Sequence, residues 1–351
     1  MKKHIKLLSS ISLFLALAQP LFTQAANGEE EVRKKKTINR SYNVGADDKL
    51  EIENQFGNVR IATWDQKQIT VDIEIGVRAS SEEKAKEIMD ELDVKEVQSG
   101  RIISFKTKVG EIHNNDGKRR GRDEDDRSFY IDYVVRMPAS NRLSVENSFG
   151  KTEIGDFKGL VSLTSKFGSL STGKLDNVDA IDVEFGKANI AEVANGKVVF
   201  KFNKESRIGK VNGNVKISSE FSHNVMFNVA DNIQDLAVSE SYSTVRMVVT
   251  KSLSAQIDVH TSFGSFHNES EYNIRERRDN EDSGPHFDKD YSGQAGDGKA
   301  RIKIKSSFGT VRVSYNEGAD RDRERPSVRD RKDKKDKEDK EDKDEDDEKT
   351  T

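Results

Sequence analysis

The sequence predicts an all-β protein: a parallel, β-helix-like β-solenoid of repeated Phe-Gly coils, with a small α+β cap at its N-terminal end and a disordered, charged C-terminal tail. Three observations predict it. An aromatic-glycine phrase returns at a nearly constant interval, the apolar residues ahead of each copy stand two apart, and the tail carries almost nothing apolar.

The phrase reads Asn54-Gln55-Phe56-Gly57, Asn147-Ser148-Phe149-Gly150, Ser165-Lys166-Phe167-Gly168 and Val183-Glu184-Phe185-Gly186, then Thr261-Ser262-Phe263-Gly264 and Ser306-Ser307-Phe308-Gly309. Weaker copies centre on Phe202, Phe221 and Tyr242, where Asn203, Ser222 and Ser243 replace glycine. From Phe149 to Phe263 the aromatic advances by 18, 18, 17, 19, 21 and 21 positions, and the last step of 45 to Phe308 holds an insertion. A fixed period of this length marks a stacked repeat. Leu143 and Val145, Val161 and Leu163, Val215 and Ile217, Ile257 and Val259, Ile302 and Ile304 each fall on one face of a strand, with charged residues on the other. One such unit cannot bury its own apolar face, so the copies must stack.

The nine aromatics Phe56, Phe149, Phe167, Phe185, Phe202, Phe221, Tyr242, Phe263 and Phe308 are therefore expected as an internal structural ladder. Gly57, Gly150, Gly168, Gly186, Gly264 and Gly309 are expected at its corners, where a positive φ or a close backbone approach costs least. The small polar residue two before the aromatic faces inward by parity, within reach of the next rung. As a core ring, Phe185 would cost about 3–5 kcal/mol to truncate to alanine. A β-sandwich of hairpins also suits short strands every 8–12 residues. It offers no reason for Phe-Gly to recur once per coil.

Residues 1–25 have the three parts of a secretory signal: Lys2, Lys3 and Lys6, the apolar run Leu7 to Leu17, and small residues at Thr23 and Ala25. The run is shorter than the ~20 residues a spanning helix needs. No later segment is apolar enough to span, so the mature chain is expected to be exported: periplasmic, outer-surface or extracellular. A linker is expected over 26–36 and the cap over 37–140. Within the cap, Ile69 to Ile75 reads as a strand, and Ser80 to Leu92 reads as a helix opened by a Ser80/Glu83 capping box. Its apolar stripe is Ala85, Ile88, Met89 and Leu92. Strands Arg101 to Lys108 and Ser128 to Met137 follow. The solenoid repeat domain spans 141–316, with 269–299 thrown out as an insertion loop. The segment 317–351 is a polyampholyte without an apolar residue after Val328, so it is expected to be disordered. Its deletion is expected to leave the melting temperature unchanged.

Composition excludes several classes. No cysteine exists in the 351 residues, so disulfides, thiolate metal sites and thiol nucleophiles are absent. The net charge is −4, and three more positive charges leave with the leader, which argues against nonspecific nucleic-acid binding. Gly168, Gly173 and Lys174 imitate a phosphate loop. Leu175 stands where Ser or Thr must hold Mg²⁺, and a strand follows where a helix is required. Asp288, Asp290, Ser292 and Gly293 match positions 1, 3, 5 and 6 of a calcium loop, but Lys299 occupies the position of the bidentate Glu. His113, His223, His260, His267 and His286 show no ligand spacing. The outward carboxylates Glu153, Asp182 and Glu184 could pair as a glycosidase acid and base, although alternating charge is what any soluble sheet face shows. Trp64 suits either sugar stacking or packing at the cap. The expectation is no catalytic, metal or cofactor site.

The leader, the phrase Asn54-Gln55-Phe56-Gly57-Asn58-Val59 with Thr63-Trp64-Asp65, and the serial Phe-Gly coils resemble the bacterial putative-adhesin family of uncharacterised function. Its members are relatives of head-domain-like autotransporter adhesins, of Bacteroidetes type. The likeness covers roughly residues 37–315. It implies a β-solenoid in the cell envelope or outside, and it carries no active site to transfer. The expected function is a non-enzymatic, adhesin-like binding or scaffold module. Surface polysaccharide or another envelope protein is the candidate partner. The alternatives are a polysaccharide-active β-helix enzyme and an envelope-stress or signalling accessory protein.

Overall fold

The structure is a computed structural model that describes residues 31–110, 129–277 and 287–315. The expected signal segment and the tail 317–351 lie outside the described residues. Four strands, β1 (Val32–Asn43), β2 (Lys49–Gln55), β3 (Val59–Trp64) and β4 (Gln68–Ala79), precede the one helix among the described residues, α1 (Glu82–Asp90). Then come β5 (Leu92–Ser99), β6 (Ile102–Val109), β7 (Phe129–Pro138), β8 (Arg142–Ser148), β9 (Lys151–Ile154) and β10 (Phe157–Lys166). Four long strands follow: β11 (Ser169–Glu184), β12 (Lys187–Lys201), β13 (Glu205–Glu220) and β14 (Val225–Ser241). The chain ends through β15 (Thr244–Val248), β16 (Ala255–Ser262), β17 (Ser265–Glu269), β18 (Arg275–Arg277), β19 (Asp288–Ala295), β20 (Ala300–Ser307) and β21 (Thr310–Ser314).

The result is one large, mostly parallel sheet that does not close on itself. Ahead of the aromatics one row of core side chains runs Ile52, Val145, Leu163, Ile181, Val198, Ile217, Val238, Ile304, Val259, each paired in register with the next. Beyond the aromatics a second row runs Ile61, Ile154, Thr172, Ile190, Ile208, Phe227, Met247, Val313. All of these are buried. Full burial of one Val, Leu or Ile is worth roughly 1.5–3 kcal/mol, so the two rows form the spine of the core.

The order of rungs departs from the order of the sequence. β20 pairs with β14 on one side and β16 on the other, so the Phe308 rung lies between those of Tyr242 and Phe263. Ile302 and Ile304 point into the core from a strand that needs two neighbours, and the slot between β14 and β16 supplies both. The described parts of the segment 269–299 are correspondingly not a loop thrown clear. β19 runs antiparallel along β16, and β18 along β19, covering that edge. An edge strand paired in this way no longer offers a free row of backbone groups to another sheet.

At the N-terminal end β6 extends the first row and carries β5 antiparallel, while β7, β4 and β1 extend the second. β1 starts at Val32, inside the expected linker, and its charge-rich pattern gave no strand signal. The helix is shorter than expected, and Ser81, not Ser80, caps it: its hydroxyl accepts from the Lys84 N–H at 3.2 Å. Ala85 and Ile88 face the sheet from α1, whereas Leu92 opens β5.

Candidate functional site: the aromatic corner and the outward faces

All nine repeat aromatics have a left-handed backbone, with φ between 48° and 60°. The aromatic, not the glycine, makes the bend. The left-handed residue breaks the two-residue parity and turns its Cβ outward, which corrects the expectation of an internal ladder. From Phe167 to Phe308 the rings are 46–55% exposed. They stack face to face in the order 56, 149, 167, 185, 202, 221, 242, 308, 263, at 4.7–5.3 Å and within 7° of parallel. Phe287 adds a tenth ring at 4.7 Å. A left-handed conformation costs an L-residue roughly 1–2 kcal/mol. Each ring recovers roughly 0.5–1.5 kcal/mol per stacked neighbour, so the strain is offset only while the stack is continuous.

Backbone pairing continues around the corner. The N–H of Phe149 donates to Lys166 O at 2.9 Å, that of Phe167 to Glu184 O at 3.0 Å, and that of Phe185 to Lys201 O at 3.0 Å. The glycines serve close approach. A Cβ on Gly150 would lie 1.7 Å from Gly57 O, and one on Gly168 1.9 Å from Gly150 O.

Where glycine is missing, side chains take over the inner side of the corner. Asn203 Oδ1 accepts from Gly186 N–H at 2.8 Å, Ser222 Oγ from Asn203 N–H at 3.1 Å, and Ser243 Oγ from Ser222 N–H at 3.1 Å. The Ser243 N–H donates to Glu240 Oε2 at 3.1 Å, and Ser306 Oγ donates to Glu240 Oε1. All five side chains are buried. Burial pushes the Glu240 carboxyl above the usual carboxylate range, and the two hydrogen bonds oppose that shift. Sequence reasoning missed Glu240, although its place two before Tyr242 is the inward position occupied by Asn54, Asn147 and Ser306 elsewhere. At the other end Asn54 Nδ2 donates to Asn147 Oδ1 at 3.1 Å and Thr107 Oγ1 donates to Asn54 Oδ1 at 2.8 Å.

The other candidates are dispersed. Glu153 hydrogen-bonds Lys151 and Arg60, and those bonds hold its carboxyl below the usual range despite some burial. Burial pushes Asp182 up, and its Oδ1 is buried without a hydrogen-bond partner among the described residues. Glu184, on the same face, pairs with Lys201 at 3.4 Å. Gly173 and Lys174 lie within β11, and the calcium-like residues lie along extended β19, where His260 Nδ1 meets Asp290 Oδ1 at 3.0 Å. His223 and His267 are exposed; His113 and His286 lie outside the described residues. No cluster of three metal-ligating side chains occurs among the described residues. Trp64 is partly buried, donating to Gln68 O at 2.7 Å. No helix among the described residues is long and apolar enough to cross a membrane.

Two open cavities lie on the outward faces. One, of about 530 Å³, is bordered by Asp47, Lys49, Ser99, Arg101, Ile102 and Arg142, with Arg101 paired to Asp47 at 2.7 Å. The other, of about 510 Å³, crosses four neighbouring rungs and is bordered by Asp179, Gly196, Lys197, Asn214, Lys216 and Asp235.

No family model and no curated protein matches the chain. Among solved structures it is similar to a putative adhesin from Bacteroides fragilis (10% identity, TM-score 0.38, 79% of this chain and 97% of that one). It is also similar to a putative adhesin from Parabacteroides merdae (12%, TM-score 0.33, 79% and 96%). A third is a putative lipid binding protein from Parabacteroides distasonis (10%, TM-score 0.25, 79% and 96%). A likeness this distant carries no argument about ligand or activity.

Proposed function

We propose that the chain is an exported cell-envelope or surface protein that acts as a non-enzymatic, adhesin-like binding or scaffold module. In this reading residues 141–316 form a β-solenoid of Phe-Gly coils whose aromatics and corner glycines are structural. Residues 37–140 cap one end, and 317–351 serve as a solvated spacer. The observation that carries the reading is the register: outward side chains repeat at one strand spacing, about 4.8 Å, along faces several rungs wide. A face of that kind matches an extended polymer or a second protein, because contacts recur at a fixed interval.

One observation favours a polysaccharide-active enzyme as a second reading. Asp182, with its raised carboxyl, shares a face with Glu184. A screen of envelope polysaccharides and glycan arrays against the full chain, each hit re-tested for released oligosaccharide, separates the two. Binding without release is expected; release would overturn the binding-module reading and direct substitution to Asp182 and Glu184.

A further inference from the structure

The outward face over β12, β13, β14 and β20 carries a cluster of lysines. Many outward charges meet an opposite partner across strands, Lys166 with Glu146 at 3.4 Å, Lys201 with Glu184 at 3.4 Å and Arg301 Nε with Asp235 at 2.9 Å, while Glu53 lies in register with Glu146. Here Lys197 lies in register with Lys216, like charge beside like charge, an arrangement that costs stability. Lys216 is followed by Ala237 on β14 and then Lys303 on β20; the next outward row runs Val199, Ser218, Ser239, Lys305. Lys197, Lys216, Lys303 and Lys305 are all exposed, with no ion pair among the described residues.

The small side chains of Ala237 and Ser239 make a floor along β14, and Ser239 Oγ donates to Ser218 Oγ at 3.1 Å. Lysines stand on both sides of that floor, on strands two spacings, roughly 10 Å, apart. That width admits one extended chain. The 510 Å³ cavity opens at the upstream end of the floor, bordered by Lys197 and Lys216. There the strands bend at Asn195, Gly196 and Gly213, all left-handed or otherwise positive in φ. A Cβ on Gly196 would lie 2.0 Å from Val178 O, so this opening depends on glycine. Of the nearby carboxylates, Asp258, in register with Lys303, pairs with Arg277 at 2.6 Å, and Asp235 pairs with Arg301 at 2.9 Å. That leaves Asp179 and Asp182 against four lysines without ion pairs among the described residues, a local positive field that concentrates anions on an otherwise acidic protein.

We infer that this trough binds an extended anionic polysaccharide, its carboxylate or sulfate groups held between Lys197 and Lys216 on one side and Lys303 and Lys305 on the other. The inference rests on the binding-module reading and names its ligand class and its site. Titration of the full chain with polygalacturonate, dextran sulfate and uncharged dextran tests it, with K216E/K303E, K216Q/K303Q and a distant pair, K86E/K158E. The two polyanions are expected to bind and dextran not to. Affinity is expected to fall at least tenfold in both trough variants and to stay within twofold in the distant pair. Salt is expected to weaken wild-type binding more steeply than trough-variant binding. Circular dichroism and melting temperature establish that each variant is folded. Equal weakening by trough and distant pairs overturns the site. Binding of dextran with no loss in the trough variants overturns the inference while leaving the binding module standing. Cleavage of any of the three polymers overturns the module reading itself.

Discussion

At the scale of single residues, the decisive feature is an aromatic in a conformation that usually belongs to glycine. Phe185 has φ 55°, is 48% exposed, and stacks at 4.9 Å on Phe167 and 4.7 Å on Phe202. Truncation to alanine removes both stacks and leaves the left-handed strain, so F185A is expected to cost about 1–3 kcal/mol, less than a core ring would. Glycine loses the same stacks but relieves the strain. F185G is therefore expected to unfold at higher denaturant than F185A, the reverse of the order at an ordinary strand position. Equilibrium denaturation of the pair decides it; F185A more stable than F185G would mean that the bend does not depend on φ at the aromatic. The glycine beside it is the less forgiving position. In G150A the new methyl meets Gly57 O at 1.7 Å, a clash with backbone that no rotamer relieves, and a loss above about 3 kcal/mol is expected.

At the scale of the element, the inner side of the corner is a chain of polar groups that terminates on a buried acid. Burial raises the Glu240 carboxyl, so the folded state holds its proton more tightly than the unfolded chain does. Its stabilising contribution is complete below the ordinary glutamate range and is lost as pH climbs through the raised folded value. E240Q keeps the shape and removes the charge. It is expected to be more stable than wild type at pH 8, with the advantage shrinking as pH falls toward 4. Denaturation midpoints at several pH values measure the difference; a constant gap would show that Glu240 does not titrate differently in the two states. Glu74, Glu96, Glu153 and Asp231 shift downward and act in the opposite sense, which is why the difference between the two proteins is the quantity to read.

Alternation made much of this legible in advance. Leu143, Val145, Ile217, Ile257 and Ile304 are buried, as their parity required. The outward turn of the rings was not legible, because parity assumes an unbroken strand and the left-handed residue is the aromatic itself. Glu240 was legible in principle from its position, but charged residues are so seldom buried that composition outweighed parity. The trough was hidden for a different reason: Lys216 and Lys303 are far apart in sequence, and only the pairing of β14 with β20 brings them to either side of Ala237.

At the scale of the whole molecule, the proposed solenoid makes stability approximately a sum over rungs and the contacts between neighbours. Removing a terminal rung from such a stack leaves the remainder paired. The last strands in the sequence are not the last in space, and that changes the expected outcome of truncation. β20 and β21 bridge β14 and β15 to β16 and β17, through parallel ladders on both sides. A chain ending at Lys299 would lose an internal rung, leaving Leu236 and Val238 on one side and Ile257 and Val259 on the other facing a gap. Nothing in Ile302 to Phe308 signals this, because a strand with the right parity fits any slot of matching width. Such a truncated chain is expected to melt at least 10 °C lower and over a broader range than the full chain, or to be proteolysed between residues 242 and 299. The scale of that shift follows from losing several kcal/mol of buried apolar contact in a protein where about 1 kcal/mol moves the midpoint by a few degrees. Circular dichroism melts and limited proteolysis of the two chains make the comparison. A sharp transition within about 3 °C of the full chain would place the Phe308 rung at the end of the stack, where the order of the sequence puts it.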